Sequence, residues 1–465
     1  MSPARVAVVG GGVAGLAAAW RLRDRLGDAA RITVWDSGER AGGKLRTGVV
    51  GGLAVEWGAD AFVMRDPAHG GDSAAVALVR RLGLELVHPE PAPPALLVDG
   101  ALRPVPAGTL FGIPGDPAAV ADTAPVDSGR DRDSGEPLLA ADADVAVGAL
   151  VRERLGDAVV DRLVDPMLGG VYAGRADDLS LAATMPSLAT ACRSESTLTG
   201  AVRAALAASP RRAGGPVFGA VRGGMDRLVE ALADASGAEV RLGRPVRELA
   251  RAGAGWRLVV GSTRDPETVE ADAVVLALPS RPAARLLQAA GEPAAAPVGV
   301  LDYASVALVT LALPASVTLP ERSGFLVPAG EGLTIKAATF FPRKWAHLRA
   351  DDGPSLVRAS VGRYGEEEVL RLSDEALVRQ AHEDLSVALG GSLPAPVDAH
   401  VQRWGGALPQ YPPGHPGRVA QARAALPATL RVAGAGYDGV GIPACIRSGQ
   451  TAADELGAVL EQSSV

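Results

Sequence analysis

At 465 residues, with 48% hydrophobic and 21% charged side chains, the chain is too long for one compact core and too apolar to be disordered. A formal net charge of −7 without a basic stripe excludes nucleic acid as the expected partner. The two cysteines, Cys192 and Cys445, lie far apart without metal-ligand neighbours, which suits a reducing compartment and leaves neither a disulfide framework nor a metal site.

Residues 6–9 read as a short buried strand. Gly10, Gly12 and Gly15 then occupy G-x-G-x-x-G positions, with Gly11, Val13 and Ala14 between them, and 16–20 opens a helix. Gly10 permits the tight turn, Gly12 lets a pyrophosphate approach the backbone, and Gly15 lets helix and strand pack closely. The phosphates then sit on the helix amino terminus, where unpaired N–H groups favour negative charge. Such a pattern alone also serves as a structural turn. Here a second strand, 31–35, ends at Asp36, at the distance expected of an acidic ribose ligand, so a dinucleotide site is the expectation. The glycine spacing and the lack of a membrane-spanning apolar run argue against export or a transmembrane helix. A cytoplasmic protein is expected, with membrane contact at most peripheral.

Segment 114–144 is the one compositional break, rich in Asp and Glu against Arg130 and Arg132, and reads as a solvated loop. Helical patterns follow at 145–155 and 157–168. Gly223-Gly224-Met225-Asp226 precedes an amphipathic helix at 227–235. Strands are expected at 240–242, from Val246, at 256–260 and at 273–278. A last strand, 430–434, runs into Gly436, Gly439 and Gly441 and a helix at 443–460. Nucleotide-binding pieces at the start, middle and end imply an interrupted fold with insertions over the cofactor.

Asp36-Ser37-Gly38-Glu39-Arg40-Ala41-Gly42-Gly43-Lys44 resembles the second half of the FAD signature of the flavin amine oxidase and protoporphyrinogen oxidase superfamily, with Asp36 where Glu is commoner. Glu56-Trp57-Gly58-Ala59-Asp60-Ala61-Phe62 resembles its strand alongside the isoalloxazine. Gly169-Gly170-Val171-Tyr172-Ala173-Gly174, with Leu179-Ser180-Leu181, and Val221-Arg222-Gly223-Gly224-Met225 match further segments. Thr339-Phe340-Phe341-Pro342-Arg343-Lys344-Trp345 and Arg403-Trp404…Pro409-Gln410-Tyr411…Gly414-His415 are similar to the bacterial porphyrinogen oxidases, and Gly441-Ile442-Pro443 fits their flavin-binding turn.

The resemblance implies an α/β fold in three parts. They are a discontinuous, Rossmann-like FAD-binding domain (1–82, 213–282, 425–465), an inserted α+β substrate-binding domain (83–104, 283–424) and a helical subdomain (105–212). It also implies oxidation of coproporphyrinogen III to coproporphyrin III in heme biosynthesis. Dioxygen would be the acceptor, hydrogen peroxide the by-product and a ferrochelatase a transient recipient. Flavin N5 would carry the chemistry, with no protein side chain as catalytic group. Lys44 and the backbone of Gly58, Ala59, Asp60 and Ala61 are expected near the flavin half, Val246 at adenine, and Trp404, Val440, Gly441 and Ile442 over the isoalloxazine. Four propionates call for cations, with Arg65, Arg343 and Lys344 as candidates beside Tyr411 and His415. Protoporphyrinogen IX is the near alternative. A flavin amine oxidase, a polyene desaturase, a non-catalytic flavoprotein and a nicotinamide-linked dehydrogenase are the more distant ones.

Overall fold

The computed structural model describes residues 2–66, 70–127, 129–208, 215–349 and 352–463. Val6, Ala7, Val8 and Val9 are buried on both faces of the first strand, Ala4–Val9, which places it at the middle of a five-stranded parallel sheet. It pairs with Ala30–Trp35 on one side and Ala273–Leu276 on the other, with Glu239–Arg241 and Leu430–Val432 outside them. Three separated stretches of chain therefore build one layer. Its first helix, Val13–Leu26, packs backbone to backbone on the last, Ile442–Ser463. A Cβ on Gly449 would lie 2.1 Å from the Ala14 carbonyl oxygen, so only glycine lets the two helices approach this closely.

A second sheet of seven strands is mixed, with Asp398–Gln410, Asp302–Leu313, Ser355–Val361 and Ile335–Phe340 as its antiparallel body. Alternation gives it two different faces. Val309, Leu311, Phe340, Val357 and Ala359 are buried against Leu377, Ala381 and Leu385 of helix Asp374–Ala388. The intervening residues Leu308, Ala337, Thr339, Arg358, Ser360, Gln402 and Trp404 are only half-buried. That second face looks toward the nucleotide layer, because Arg358 donates to the Glu56 and Gly58 carbonyls and Trp404 Nε1 to the Trp57 carbonyl. A half-exposed face between two packed layers is a cleft wall.

The helical region closes one end of this cleft. It includes Val147–Leu155, a continuous run from Asp157 to Tyr172, Pro186–Cys192 and Leu198–Ala208 around one apolar core. The second run is longer than the periodicity predicts and widens into a π turn at Val160–Val164. Pro166 accounts for the local departure, since it has no N–H for the Arg162 carbonyl and its ring crowds that turn.

The centre of the acidic segment is exposed, as its composition implies, with residues 132–137 all open to solvent, but its flanks pack into the protein. Val120, Ala124 and Leu139 are buried in the helical core. Asp131 accepts the Leu198 N–H at 2.7 Å, the Thr199 N–H at 2.9 Å and the Thr199 hydroxyl at 2.8 Å, capping a helix. Asp144 accepts the Ser180 hydroxyl at 2.6 Å and the Gly414 N–H at 2.7 Å, joining the helical region to the turn after strand Asp398–Gln410. Composition counts carboxylates but does not show which orphan N–H groups they meet. D131A should lower stability by about 1 kcal/mol, as loss of a helix cap does, with flavin absorbance unchanged. Chemical denaturation of the two holoproteins measures this.

Candidate active site

The glycine turn separates into two kinds of position. A Cβ on Gly10 (φ +111°) would lie 2.3 Å from the Ala277 carbonyl oxygen, and one on Gly15 would lie 1.9 Å from that of Gly10. These two glycines let the protein pack on itself. A Cβ on Gly12 meets nothing within 4 Å. Gly12 faces open space at the head of helix Val13–Leu26, whose first turn holds no acid, so the residues fit a bound pyrophosphate.

Asp36 stands beside this opening, its two carboxylate oxygens accepting the Gly11 N–H at 2.6 Å and the Gly38 N–H at 2.7 Å. Each oxygen keeps a lone pair, and Ser37 is exposed next to it. Arg40 braces the following loop by donating to the Leu45 carbonyl and pairing with Asp226. Gly42 donates to the Gly11 carbonyl at 2.8 Å, and Gly43 (φ +58°) passes so close that its Cβ would lie 3.3 Å from Gly12 Cα. Val246 opens strand Val246–Ala252, half-buried.

Lys44 is exposed to solvent yet surrounded by protein, and that burial holds its ammonium below the ordinary lysine range. A side chain both exposed and enclosed lines an internal cleft. The Gly58 backbone crosses here, since a Cβ would lie 2.0 Å from the Lys44 carbonyl oxygen and 3.4 Å from the Trp404 ring. Ala59 donates to the same carbonyl at 3.2 Å, and Ala61 packs with Leu16 and Ile442 in one core. Gly441 (φ +105°) is exposed before the final helix, while the preceding Val440 packs against the helical core.

The side chain of Asp60 ties the two sheets together. It pairs with Lys344 Nζ at 2.6 Å and with Arg358 at 3.1 Å, and Arg358 also donates to Glu56 O at 3.1 Å and Gly58 O at 3.0 Å. Burial alone would raise the Asp60 carboxyl, but the Lys344 ammonium and Arg358 guanidinium overcome it and hold the group well below the usual carboxylate range. Behind this clasp lies a cavity of about 190 Å³, lined by Thr47, Glu56, Asp60, Phe341, Trp345 and His347. Glu56 accepts the Met225 N–H at 2.8 Å and the Thr47 hydroxyl at 3.1 Å, yet burial pushes its carboxyl up to about 7.

The substrate candidates read from sequence do not converge. Arg65 is exposed and donates to the Gly70 carbonyl at 3.0 Å. Arg343 turns away to the Leu319 carbonyl at 2.8 Å and to Glu321 at 2.7 Å. Lys344 is spent on Asp60. Tyr411 is 1% exposed, donates its hydroxyl to the Ala435 carbonyl and stacks on His415 at 4.6 Å. His415 is 7% exposed, its Nε2 has no partner among the described residues, and burial pushes its imidazole down to about 4. The cations that sequence reading missed, Arg358 and Lys336, are each the single charged residue of a strand. That interruption was the available signal.

Fold and site together define a flavoprotein oxidoreductase: the family model for flavin containing amine oxidoreductase matches residues 13–457. The coproporphyrinogen III oxidase of Mycobacterium tuberculosis is 41% identical over 456 residues, covering 96% of each chain. That of Bacillus subtilis is 32% identical, covering 97% of each. A solved structure from Exiguobacterium sp. 255-15, assigned to the protoporphyrinogen oxidases, is 31% identical with a TM-score of 0.83 and covers 99% of this chain and 100% of that one. The chain belongs, within the flavin-containing superfamily, to the coproporphyrinogen III oxidase and protoporphyrinogen oxidase family.

Glu56 supplies a pH test. Its folded pKa, about 7, lies above its ordinary 4.5, so the stability it contributes is full below pH 4.5 and is lost as pH rises through 7. E56Q keeps the acceptor without the charge. Its melting temperature should exceed that of the wild type increasingly between pH 5 and pH 8. A difference that stays flat across this window would remove Glu56 as a titrating group.

Proposed function

We propose that the protein is an FAD-dependent coproporphyrinogen III oxidase. The observation that carries this reading is the 41% identity to coproporphyrinogen III oxidases over 96% of the chain. Six hydrogens leave the macrocycle and reduce three dioxygen molecules to three of hydrogen peroxide. When bound, FAD supplies each two-electron oxidation and passes the electrons to dioxygen.

The chain's own residues hold and orient. Gly12, with the first turn from Val13 and Ala14, would take the pyrophosphate, while Gly10 and Gly15 shape the turn that presents it and Gly11 anchors Asp36. Asp36, flanked by Ser37 and Arg40, takes the adenosine ribose, and Val246 takes adenine through its main chain. Gly42, Gly43, Lys44, Gly58, Ala59, Asp60 and Ala61 line the flavin half, closed by Trp404, Val440, Gly441 and Ile442. The clasp of one carboxylate by two cations leaves net positive charge beside the cleft, favourable to a polycarboxylate substrate. An amine oxidase needs paired aromatic walls for a neutral amine. Trp404 is half-buried on the cleft face, whereas Tyr411 and Tyr437 are closed off in apolar cores.

This reading divides the chain into an FAD-binding domain (1–82, 213–282, 425–465), a substrate-binding domain (83–104, 283–424) and a helical subdomain (105–212). Among the described residues no helix is long and apolar enough to cross a membrane. We read the enzyme as cytoplasmic, its product passing to a ferrochelatase for metal insertion.

The test is aerobic oxidation of coproporphyrinogen III and protoporphyrinogen IX in parallel by the purified yellow protein. Porphyrin fluorescence is followed without added nicotinamide, and non-enzymic oxidation is subtracted. Faster turnover of coproporphyrinogen, with three peroxides per porphyrin, is the expected outcome. Preference for protoporphyrinogen would transfer the assignment to that substrate, and inactivity on both with flavin bound would overturn it.

A further inference from the structure

The sheet carries a cation for which the described residues supply no counter-charge. Lys336 is 5% exposed on strand Ile335–Phe340, at the register irregularity between Ile335 and Ala337. Its ammonium has one hydrogen bond, a long 3.3 Å contact to the Gly169 carbonyl in the last turn of helix Asp165–Tyr172. Among the described residues no carboxylate forms an ion pair with it. A second cation, Arg363, lies close enough to oppose its charge, is 9% exposed and donates to the Val327 carbonyl at 3.0 Å. The nearest acid to Arg363, Glu366, is 3.8 Å away, half-exposed and already paired with Arg175.

Magnitudes separate two explanations. A cation at a helix carboxyl terminus gains about 0.3–1 kcal/mol, up to about 2 when partly buried. Taking an ammonium out of water costs several kcal/mol. Capping therefore does not offset the burial, whereas an arriving anion does. Burial, reinforced by Arg363, pushes the Lys336 ammonium down to about 7.

The position suits such an anion. Gly170 and Val171, which follow the bonded carbonyl, stay exposed although their helix packs on the sheet, so the helix end beside Lys336 is open to solvent. Three residues along the strand, Thr339 pairs with Arg358, which holds the Gly58 backbone at the flavin end. That separation is about 10 Å at strand rise, a distance a tetrapyrrole bridges and a simple amine does not.

We propose that Lys336, backed by Arg363, binds a carboxylate of the substrate, a propionate on the macrocycle edge remote from the flavin. This rests on the porphyrinogen reading above. The test uses two holoenzymes: K336Q, whose amide can still donate to the Gly169 carbonyl, and K336M, which can neither donate nor carry charge. Both should retain FAD absorbance and raise KM for coproporphyrinogen III about tenfold, with kcat within about twofold. Both should also weaken coproporphyrin III binding about tenfold while binding its tetramethyl ester as the wild type does. If K336M does not fold with FAD, K336Q alone decides. Wild-type KM and coproporphyrin affinity in K336Q would overturn the proposal, as would equal weakening of acid and ester. Failure of the wild type to oxidise coproporphyrinogen would instead overturn the functional reading.

Discussion

Asp60, clasped by Lys344 at 2.6 Å and Arg358 at 3.1 Å, is the charged centre of the contact between the two layers. One partner comes from the turn after strand Ile335–Phe340 and the other from strand Ser355–Val361, while Asp60 follows the Gly58 crossing. Because the three groups are largely buried, the geometry is firmly held. Removing Asp60 would leave two buried cations uncompensated at a cost of about 3–5 kcal/mol, far more than an exposed pair contributes. Arg358 extends the same constraint to the Glu56 and Gly58 carbonyls, so the flavin-side backbone and the cleft wall form one rigid unit.

The cleft then has two chemically distinct ends. At one, Gly12 leaves open space and Trp404 closes over the Gly58 crossing. At the other, the helical region packs on the sheet around Lys336 and Gly169. A chain that leaves electron transfer to a cofactor needs only to orient a flat, charged substrate between those ends, and that is where its buried cations lie. Acid–base machinery of the hydrolase kind is not required by such a division of labour.

Where sequence reading departed from the structure, the cause is specific. The acids of 114–144 look like solvent-facing charge, but Asp131 and Asp144 meet N–H groups supplied from residues far along the chain. Arg343 and Lys344 are neighbours in sequence, yet one turns outward to Glu321 and the other inward to Asp60. Both lie in one four-residue helical turn, Phe341–Lys344, and no periodicity in so short an element foretells which faces the cleft.

The parallel layer was legible because its determinants are local. A buried apolar run, a glycine turn, a helix and a terminal acid occur within one stretch of chain, and backbone sterics allow few other arrangements. The late glycines and the final helix were legible for the same reason. The partners of the charges were decided only by tertiary structure. A side chain's pKa, its exposure and the direction it turns depend on groups hundreds of residues away, as Asp60 with Lys344 and Gly169 with Lys336 show. Sequence determined which backbone could receive a dinucleotide, and folding determined which cations were left facing the cleft.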